Sequence, residues 1–377
     1  MNATSLRSCA VAGDANDPLT ARAHLEPRHR YRSSFQRDRD RVIHARAFRR
    51  LAGKTQVFTH RYSDHFRSRL THTIEVAQIA RTVATALDLN EDLTETLALV
   101  HDIGHPPFGH AGESALDRQT CAYGLAFDHN LHALRIVEHF EQRYVEFRGL
   151  NLTLGVREGI IKHSHDYSAA EHPELSEYFL DQRPPLEAQI IDLADEIAYL
   201  TADIDDGIEA EILSLENLCR DVPLFADFYR KVESEHPGAA SKLLFNESLK
   251  GMMNALVNDL IVTTHRRAVE TGATNLDAVR DFEERIVAFS PEMEYRRREA
   301  KEYLFRRLYH AEDLDSSHAL AEEAIAGLFQ HWMRHPEQLP ASYESQIANE
   351  GAPRVIADYI AGMTDNFISE QWREIRK

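Results

Sequence analysis

Apolar residues recur along most of this 377-residue chain at intervals of three and four, the spacing that places them on one face of an α-helix. The clearest example lies in residues 70–89, where one stripe is formed by His72, Val76, Ile79, Ala80, Val83 and Leu87. Similar patterns continue to residue 374, and we find no convincing alternation of the β-strand type. The sequence therefore predicts an all-α protein.

The helical patterns divide the chain into three regions. Residues 1–25 are polar and rich in small residues, which predicts a flexible N-terminal tail. We expect a compact helical core in residues 26–207 and a C-terminal helical extension in residues 208–377. Gly207 sets the boundary, because the helix that Pro184 and Pro185 open is expected to end there. Single helices are predicted over 34–52, 129–147 and 353–374.

Composition narrows the class of protein. A formal net charge of −18 disfavours general nucleic-acid binding, but residues 28–50 contain nine Arg and two Asp and could face phosphates or simply be solvated. Three isolated cysteines, without a CxxC pair, argue against a thiolate zinc site and for a reducing compartment. The absence of a long apolar run predicts no membrane span, and the polar N-terminus predicts no secretory signal, so we expect a cytoplasmic protein.

The residues best suited to chemistry lie at the ends of the predicted helices. His72 heads one helix, His101 and Asp102 close the next, and Asp195 lies on a third. Taken singly, a histidine on an apolar stripe is more often a buried structural residue, and an aspartate within a helix is more often solvated. Together, two imidazoles and two carboxylates form a mixed site that suits a divalent ion of Mg, Mn, Fe, Co or Zn. Such a site leaves coordination positions for water and substrate oxygens.

A histidine-rich loop follows Asp102, and Gly104 is expected to end the helix before it. His105 is close enough in sequence to meet a substrate oxygen beside the metal. His110 and Glu113 are three residues apart and could form a dyad in which the carboxylate fixes the imidazole tautomer, or an ordinary ion pair at a helix end. His129 opens the next helix as a candidate proton donor or as part of a capping cluster.

Several of these segments carry a family resemblance. They are residues 48–58, 69–73, 101–113, 192–199 and 358–365. Together they resemble the HD-superfamily deoxynucleoside triphosphate triphosphohydrolases, the bacterial dGTPase-like proteins. The His101-Asp102 doublet is shared by the whole superfamily, whereas the loop from Gly104 to Glu113 and the segment from Asp195 to Tyr199 are more specific.

The resemblance implies an HD-domain helical core and a metal-dependent attack of water at the α-phosphorus of a deoxynucleoside triphosphate, releasing deoxynucleoside and intact triphosphate. It also implies a homo-oligomer. The implied metal ligands are His72, His101, Asp102 and Asp195. The implied catalytic residues are His110, Glu113 and His129. The implied substrate-binding residues are Arg69, His105 and Lys162 at the phosphates, Gln56 and Asp203 at the sugar 3′-hydroxyl, and Tyr199 against the sugar.

Two other functions are also compatible with the sequence. An HD phosphohydrolase could act on another nucleotide phosphoester, which the identity of the released product would reveal. A nucleotide-sensing or nucleic-acid-binding protein could use residues 28–50 to bind single strands weakly, with a site that does not turn over. Binding that weakens steeply with salt, without hydrolysis, would indicate this last class.

Overall fold

The computed structural model describes residues 5–14, 16–57, 66–309 and 312–376, with the backbone alone for residues 312–318. Within these ranges the chain forms helices and no β-strand, which confirms the all-α prediction. In chain order the α-helices are α1 (Ser34–His44), α2 (Arg46–Arg50), α3 (Arg69–Leu87), α4 (Glu91–Val100), α5 (Gly109–Cys121), α6 (His129–Arg135), α7 (Leu154–Ile161), α8 (Leu186–Glu209), α9 (Leu215–Asp221), α10 (Pro223–Glu235), α11 (Ser241–Glu270), α12 (Leu276–Arg280), α13 (Pro291–Arg307), α14 (Glu312–Arg334), α15 (Ala341–Glu344), α16 (Ile347–Glu350), α17 (Ala352–Ala361) and α18 (Asp365–Ile375).

Short helical turns of other types complete the description. The 3-10 turns are Pro18–Thr20, Leu51–Gly53, Pro173–Tyr178 and Pro336–Gln338, and a π turn at Ile136–Phe140 extends α6. None of the helices in the described part of the chain combines the length and the apolarity that a membrane crossing requires.

The centre of the fold is the packing of α3 against α4 and α8. The stripe that predicted α3 is buried there, with Val76, Ile79 and Val83 at most 1 % exposed. The Asn90 side chain accepts a hydrogen bond from the Leu93 N–H and caps α4, as the sequence predicts. The cap fixes where α4 begins, and the apolar stripe fixes which face of α4 is buried. Together they determine where His101 and Asp102 lie.

Four predicted helix boundaries are wrong. The helix expected over 129–147 ends at Phe140, because the backbone of Glu141 is extended. The helix expected over 34–52 is broken at Ala45, whose backbone is extended (φ −63°, ψ 149°). The helix expected over 353–374 is broken after Ala361, because Thr364 is extended and its side chain caps a new helix. The helix expected to stop at Gly207 continues to Glu209.

Gly104 follows α4 as predicted, but for a different reason. Its φ is not positive, so the left-handed conformation of a helix-ending glycine is not what selects it. A Cβ at this position would lie 2.0 Å from the carbonyl oxygen of His129 and 2.5 Å from the backbone nitrogen of Ala133. Glycine is required here because the turn after α4 packs directly against the backbone of α6.

The N-terminal segment packs onto the core in its described part. Leu6, Cys9 and Val11 are at most 5 % exposed. The Val11 N–H donates to the Glu187 carboxylate at 2.9 Å, and the Asn90 side-chain amide donates to the Val11 carbonyl at 2.9 Å. Apolar residues spaced within a polar segment are thus enough to dock residues 5–14 on the core, and the flexibility of the tail over residues 1–25 stays a prediction.

Two apolar cores lie in the described chain, and neither ends at residue 207. The larger core runs from Leu6 to Leu308 and includes α10, α11 and α13 together with α3, α4 and α8. The smaller core combines Leu116 of α5 and Phe127 with α14, α17 and α18. The domain boundary at residue 207 stays a prediction. Both apolar cores contain residues from each side of it.

The arginine-rich segment forms α1 and α2, and acidic partners neutralise part of its charge. The ion pairs are Arg32 with Asp40, Arg37 and Arg41 with Glu26, and Arg39 with Glu95. Asp38 also pairs with Arg22. Four of the nine arginines thus form ion pairs with described acidic residues, which reduces the positive potential that a nucleic-acid surface would need.

Candidate active site

A cavity of about 540 Å³ opens beside the ends of α3 and α4. Its walls come from α3, the turn after α4, α5, α8 and α13, so both the predicted core and the C-terminal region contribute. Of the predicted site residues, the lining includes Gln56, Arg69, His72, Asp102, His105, His110, His129, Asp195 and Tyr199. The other lining side chains include Thr55, Phe108, His163, Ser164, Glu196, Lys301 and Tyr309.

The four predicted metal ligands lie together on one wall. His72 Nε2 is 2.7 Å from Asp195 Oδ1, and His101 Nε2 is 3.8 Å from the same oxygen. His101 Nε2 is also 3.6 Å from Asp102 Oδ1. Donor atoms of His72, His101 and Asp102 all fall within 4.8 Å of one another. The start of α3, the end of α4 and the middle of α8 therefore bring together residues that are distant in sequence.

The chemistry of this donor set fits a divalent metal ion. His101 Nδ1 is 2.7 Å from the Ala98 carbonyl, which fixes the proton on Nδ1 and leaves a lone pair on Nε2. His101 Nε2 is buried and has no hydrogen-bond partner among the described residues. Burial also lowers the pKa of His101, so the ring is neutral at pH 7. A neutral imidazole with a free, buried lone pair beside two carboxylates is what a metal ligand requires.

Arg69 holds Asp102 in its ionised form. The buried Arg69 guanidinium donates to Asp102 Oδ2 at 2.8 Å, and His105 Nδ1 lies 3.0 Å from Asp102 Oδ1. Burial raises the pKa of Asp102, but Arg69, His101 and His105 outweigh it and hold the pKa well below its ordinary value. Burial, with Arg69 and His129 nearby, lowers the pKa of His105 well below its ordinary value. His105 is therefore a neutral ring at pH 7.

Glu113 is bound by His129 more closely than by His110. Glu113 Oε1 accepts from the backbone N–H of His129 at 3.0 Å and lies 2.7 Å from His129 Nδ1. Glu113 Oε2 is 3.6 Å from His110 Nδ1, and the His110 side chain is 72 % exposed. Burial raises the pKa of Glu113, but the hydrogen bonds from His110 and His129 prevail and lower it. The His129 ring also stacks on His105, with centroids 4.0 Å apart.

A second group of polar residues lies further along α8. Tyr199 packs edge-on to His72, with ring centroids 6.2 Å apart, and lines the cavity. Asp203 is 1 % exposed, lies behind the lining residues and accepts a hydrogen bond from the Tyr309 hydroxyl. Burial raises the pKa of Asp203 to about 7, although the bond from Tyr309 opposes this. Tyr309, from the segment after α13, therefore lies between Asp203 and the cavity.

Lys162 does not reach the cavity. Its ammonium group donates to Glu158 Oε1 at 2.8 Å and to the carbonyl oxygens of Phe179 and Gln182 at 2.7 and 2.8 Å. Glu158 is in turn bound by both guanidinium nitrogens of Arg280. These bonds occupy the donors of Lys162 inside the protein, and the side chain is not part of the cavity lining.

Several lining residues of the site were not singled out from the sequence, among them His163 and Lys301. His163 follows α7, its Nδ1 lies 2.7 Å from Asp192 Oδ1, and it forms a possible metal-holding group with His101 and Asp195. The signal was a histidine directly after an apolar helix, the same pattern that marks His101. Lys301 lines the cavity from α13 and pairs with Glu196 at 2.6 Å. No motif marks Lys301, since only the packing of α13 against α8 brings it there.

Comparison with known proteins identifies the family of this chain. Residues 69–200 match the HD domain, and residues 287–374 match the phosphohydrolase-associated domain. A protein of Ralstonia pickettii is 46 % identical over 94 % of this chain and 91 % of its own length. Proteins of an Azoarcus species and of Geobacter sulfurreducens are 44 % and 41 % identical over 99 % and 98 % of this chain, and over 97 % and 96 % of their own lengths. All three are named deoxyguanosinetriphosphate triphosphohydrolase-like protein.

The helical core and its His-Asp cluster thus define an HD-domain phosphohydrolase. Within that class, the chain belongs to the family of deoxyguanosinetriphosphate triphosphohydrolase-like proteins. The segment of the HD match carries all four predicted metal ligands. The second match covers α13 to α18, which lie in the predicted C-terminal helical region.

Proposed function

We propose that the protein hydrolyses deoxynucleoside triphosphates, dGTP or several dNTPs, to deoxynucleoside and triphosphate. The observation that carries this proposal is the cluster of His72, His101, Asp102 and Asp195 on the wall of a cavity of about 540 Å³. A cavity of this size accommodates a nucleotide. The names of the relatives, over nearly their whole lengths, favour a triphosphate substrate.

The proposed metal ligands are those four residues, with His163 as an additional candidate. A divalent ion held there would lower the pKa of water and neutralise charge on the phosphate. Metal analysis of the purified protein distinguishes Mg, Mn, Fe, Co and Zn. Arg69 supplies a fixed positive charge beside Asp102, and its guanidinium orients that carboxylate.

Glu113 and His129 form the proposed proton-transfer pair. The Glu113 carboxylate binds His129 Nδ1 and therefore leaves Nε2 to exchange a proton with water or with the leaving oxygen. His105, stacked on His129, restricts the orientation of that ring. His110 lies at 3.6 Å from the other oxygen of Glu113 and is the second candidate for this role.

The remaining lining residues are proposed to bind the substrate. The Gln56 side-chain oxygen is buried and has no hydrogen-bond partner among the described residues, so it suits a sugar hydroxyl. Tyr199 offers an aromatic face to the sugar. Asp203, which accepts a hydrogen bond from the Tyr309 hydroxyl, is the second candidate for binding the 3′-hydroxyl. Lys301 replaces Lys162 as the proposed lysine at the phosphates, because its side chain is 53 % exposed at the cavity.

Product analysis tests the proposal. The protein, loaded with Mn²⁺ or Mg²⁺, is incubated with each of the four dNTPs, singly and mixed, and the products are resolved by anion-exchange chromatography. Deoxynucleoside with intact triphosphate is the expected result, and the rates give the base preference. Monophosphate with pyrophosphate would mean that a different bond is cut. No product from any dNTP would overturn the proposal and favour another phosphoester or a binding role.

A further inference from the structure

Two chain segments meet at the rim of the cavity. One contains Thr55 and Gln56, and the other contains Phe108 and leads to His110 at the start of α5. A Cβ on the intervening Gly109 would lie 3.6 Å from the Gln56 carbonyl, so the two segments run against each other. The separation of Gln56 from His110 therefore depends on what holds these segments together.

A single carboxylate from the C-terminal region joins them. Asp365 Oδ2 accepts from the Thr55 backbone N–H at 2.8 Å and from the Thr55 hydroxyl. Asp365 Oδ1 accepts from the Phe108 backbone N–H at 3.0 Å. Asp365 is 9 % exposed and is not among the residues that line the cavity. Each of its two oxygens thus holds a different segment of the rim.

The geometry of Phe108 shows why this bond matters. Phe108 has a left-handed backbone (φ 65°, ψ 22°), which is a strained conformation for a residue with a side chain. Such a conformation persists only where neighbouring contacts determine it. The hydrogen bond from the Phe108 N–H to Asp365 is one such contact, and the next residues of the chain begin α5.

Asp365 is not needed to cap its own helix. The side chain of Thr364 accepts from the Phe367 N–H and caps α18, so the carboxylate of Asp365 is left to bind other parts of the chain. Lys54 adds a neighbouring tie, because its ammonium group donates to the carbonyl oxygens of His105 and Ala361 at 2.5 and 2.9 Å. Both ties run from the C-terminal region to the rim.

We propose that Asp365 is a positioning residue, which sets the spacing of Gln56 and His110 across the cavity by binding Thr55 and Phe108. It acts without touching the substrate. Through Asp365, the C-terminal region determines the shape of a cavity whose four proposed metal ligands all lie within the HD match. The effect on catalysis rests on the proposed function, whereas the effect on the rim does not.

The test compares Asp365→Asn with Asp358→Asn. Asp365→Asn keeps the size of the side chain but replaces one accepting oxygen with an NH2 group. That NH2 group faces the backbone N–H of Thr55 or Phe108, and two donors cannot bind each other. Asp358 is the matched control. It is 2 % exposed and belongs to the same C-terminal region, but it binds His132 and Arg135, which do not line the cavity. Both variants lose a buried carboxylate, and only one loses the contacts to the rim.

Hydrogen exchange followed by mass spectrometry gives the direct readout. We expect peptides that contain the amides of Thr55 and Phe108 to exchange at least tenfold faster in Asp365→Asn and to be unchanged in Asp358→Asn. Equal exchange of these peptides in Asp365→Asn and the unaltered protein would overturn the proposal. So would an equal rise in both variants, because that would reveal only a general loss of stability.

Kinetics give the second readout, on the full chain loaded with metal. We expect kcat/KM for the best dNTP to fall about 10–100-fold in Asp365→Asn, and the pH profile to keep its shape. If Asp365→Asn does not fold, Thr55→Val removes the hydroxyl bond to Asp365 Oδ2 alone and should speed exchange at the rim. Faster exchange in a protein that hydrolyses no dNTP at all would support the positioning role and overturn the proposed function.

Discussion

Glu113 binds His129 twice, through the backbone N–H at 3.0 Å and through ring Nδ1 at 2.7 Å. The same carboxylate oxygen accepts both bonds. The double contact fixes the position of the start of α6 and the orientation of the ring at its first residue. A carboxylate that orients an imidazole in this way is the arrangement that general acid–base catalysis uses.

Glu113→Gln should slow turnover about 10²–10⁴-fold, because the amide no longer stabilises a protonated His129 ring. His129→Ala should have a similar effect, and the double variant should be no worse than the more damaging single one, since the two residues act as one unit. Metal content should stay stoichiometric in all three. Steady-state kinetics with metal analysis measures this, and His110→Ala with a larger loss than His129→Ala would assign the role to His110 instead.

Asp102→Ala should lose both bound metal and turnover, by at least about 10³-fold in kcat, because it removes a metal ligand and leaves the Arg69 charge buried without its partner. Metal content after desalting, measured by plasma mass spectrometry, checks the first effect. Asp358→Asn is the control, because it removes a buried carboxylate from Arg135 outside the cavity lining, and it should keep near-stoichiometric metal. An Asp102→Ala protein with full activity would contradict the proposed site.

Lys301→Gln should raise KM for dNTPs roughly 5–30-fold, about 1–2 kcal/mol, with a smaller change in kcat. The reason is the loss of a positive charge at the polyphosphate, and the salt dependence of KM should weaken with it. Lys250→Gln is matched, because Lys250 also forms a 2.6 Å pair with a glutamate but lies on α11 outside the cavity lining. Equal KM values for the two variants would remove Lys301 from the phosphate site.

Asp203 makes stability depend on pH. The unfolded chain releases the Asp203 proton near its ordinary pKa of 3.8, whereas the folded protein keeps it until about pH 7. The folded state therefore binds more protons in this window, and its free energy of unfolding falls as pH rises from about 4 to about 7. The fall approaches ~1.4 kcal/mol per unit of pKa difference. Asp203→Asn should remove this component.

The free energy of unfolding of Asp203→Asn and of the unaltered protein is measured with denaturant between pH 4 and 8, in the presence of a chelator. Asn keeps an acceptor for the Tyr309 hydroxyl, so the variant should fold. We expect Asp203→Asn to gain stability relative to the unaltered protein as pH rises to 7, with no further change above it. Parallel curves over the whole range would show that Asp203 ionises normally in the folded protein.

The sequence predicts the helical fold and most of the cluster because both depend on local patterns. The stripe ending in His101 and Asp102 follows from helical spacing, and the Asn90 cap fixes its start. Lys301 and Tyr309 could not be found in the same way, since they reach the cavity only through the packing of the C-terminal helices. Lys162 shows the opposite error, since it is predicted at the site but lies outside it. Its position after an apolar helix does not reveal that Glu158 and two carbonyl groups bind its ammonium group.

The smaller apolar core has a consequence for how this chain can be divided. Leu116 and Phe127 lie within the HD match, yet they are buried against Phe329, Trp332 and other residues of the last helices. A fragment ending at residue 207 would expose these apolar side chains to water, next to the helix that carries Glu113. The segment of the HD match is therefore not a module that can be transferred by itself, and any chimera that uses it must include the final helices.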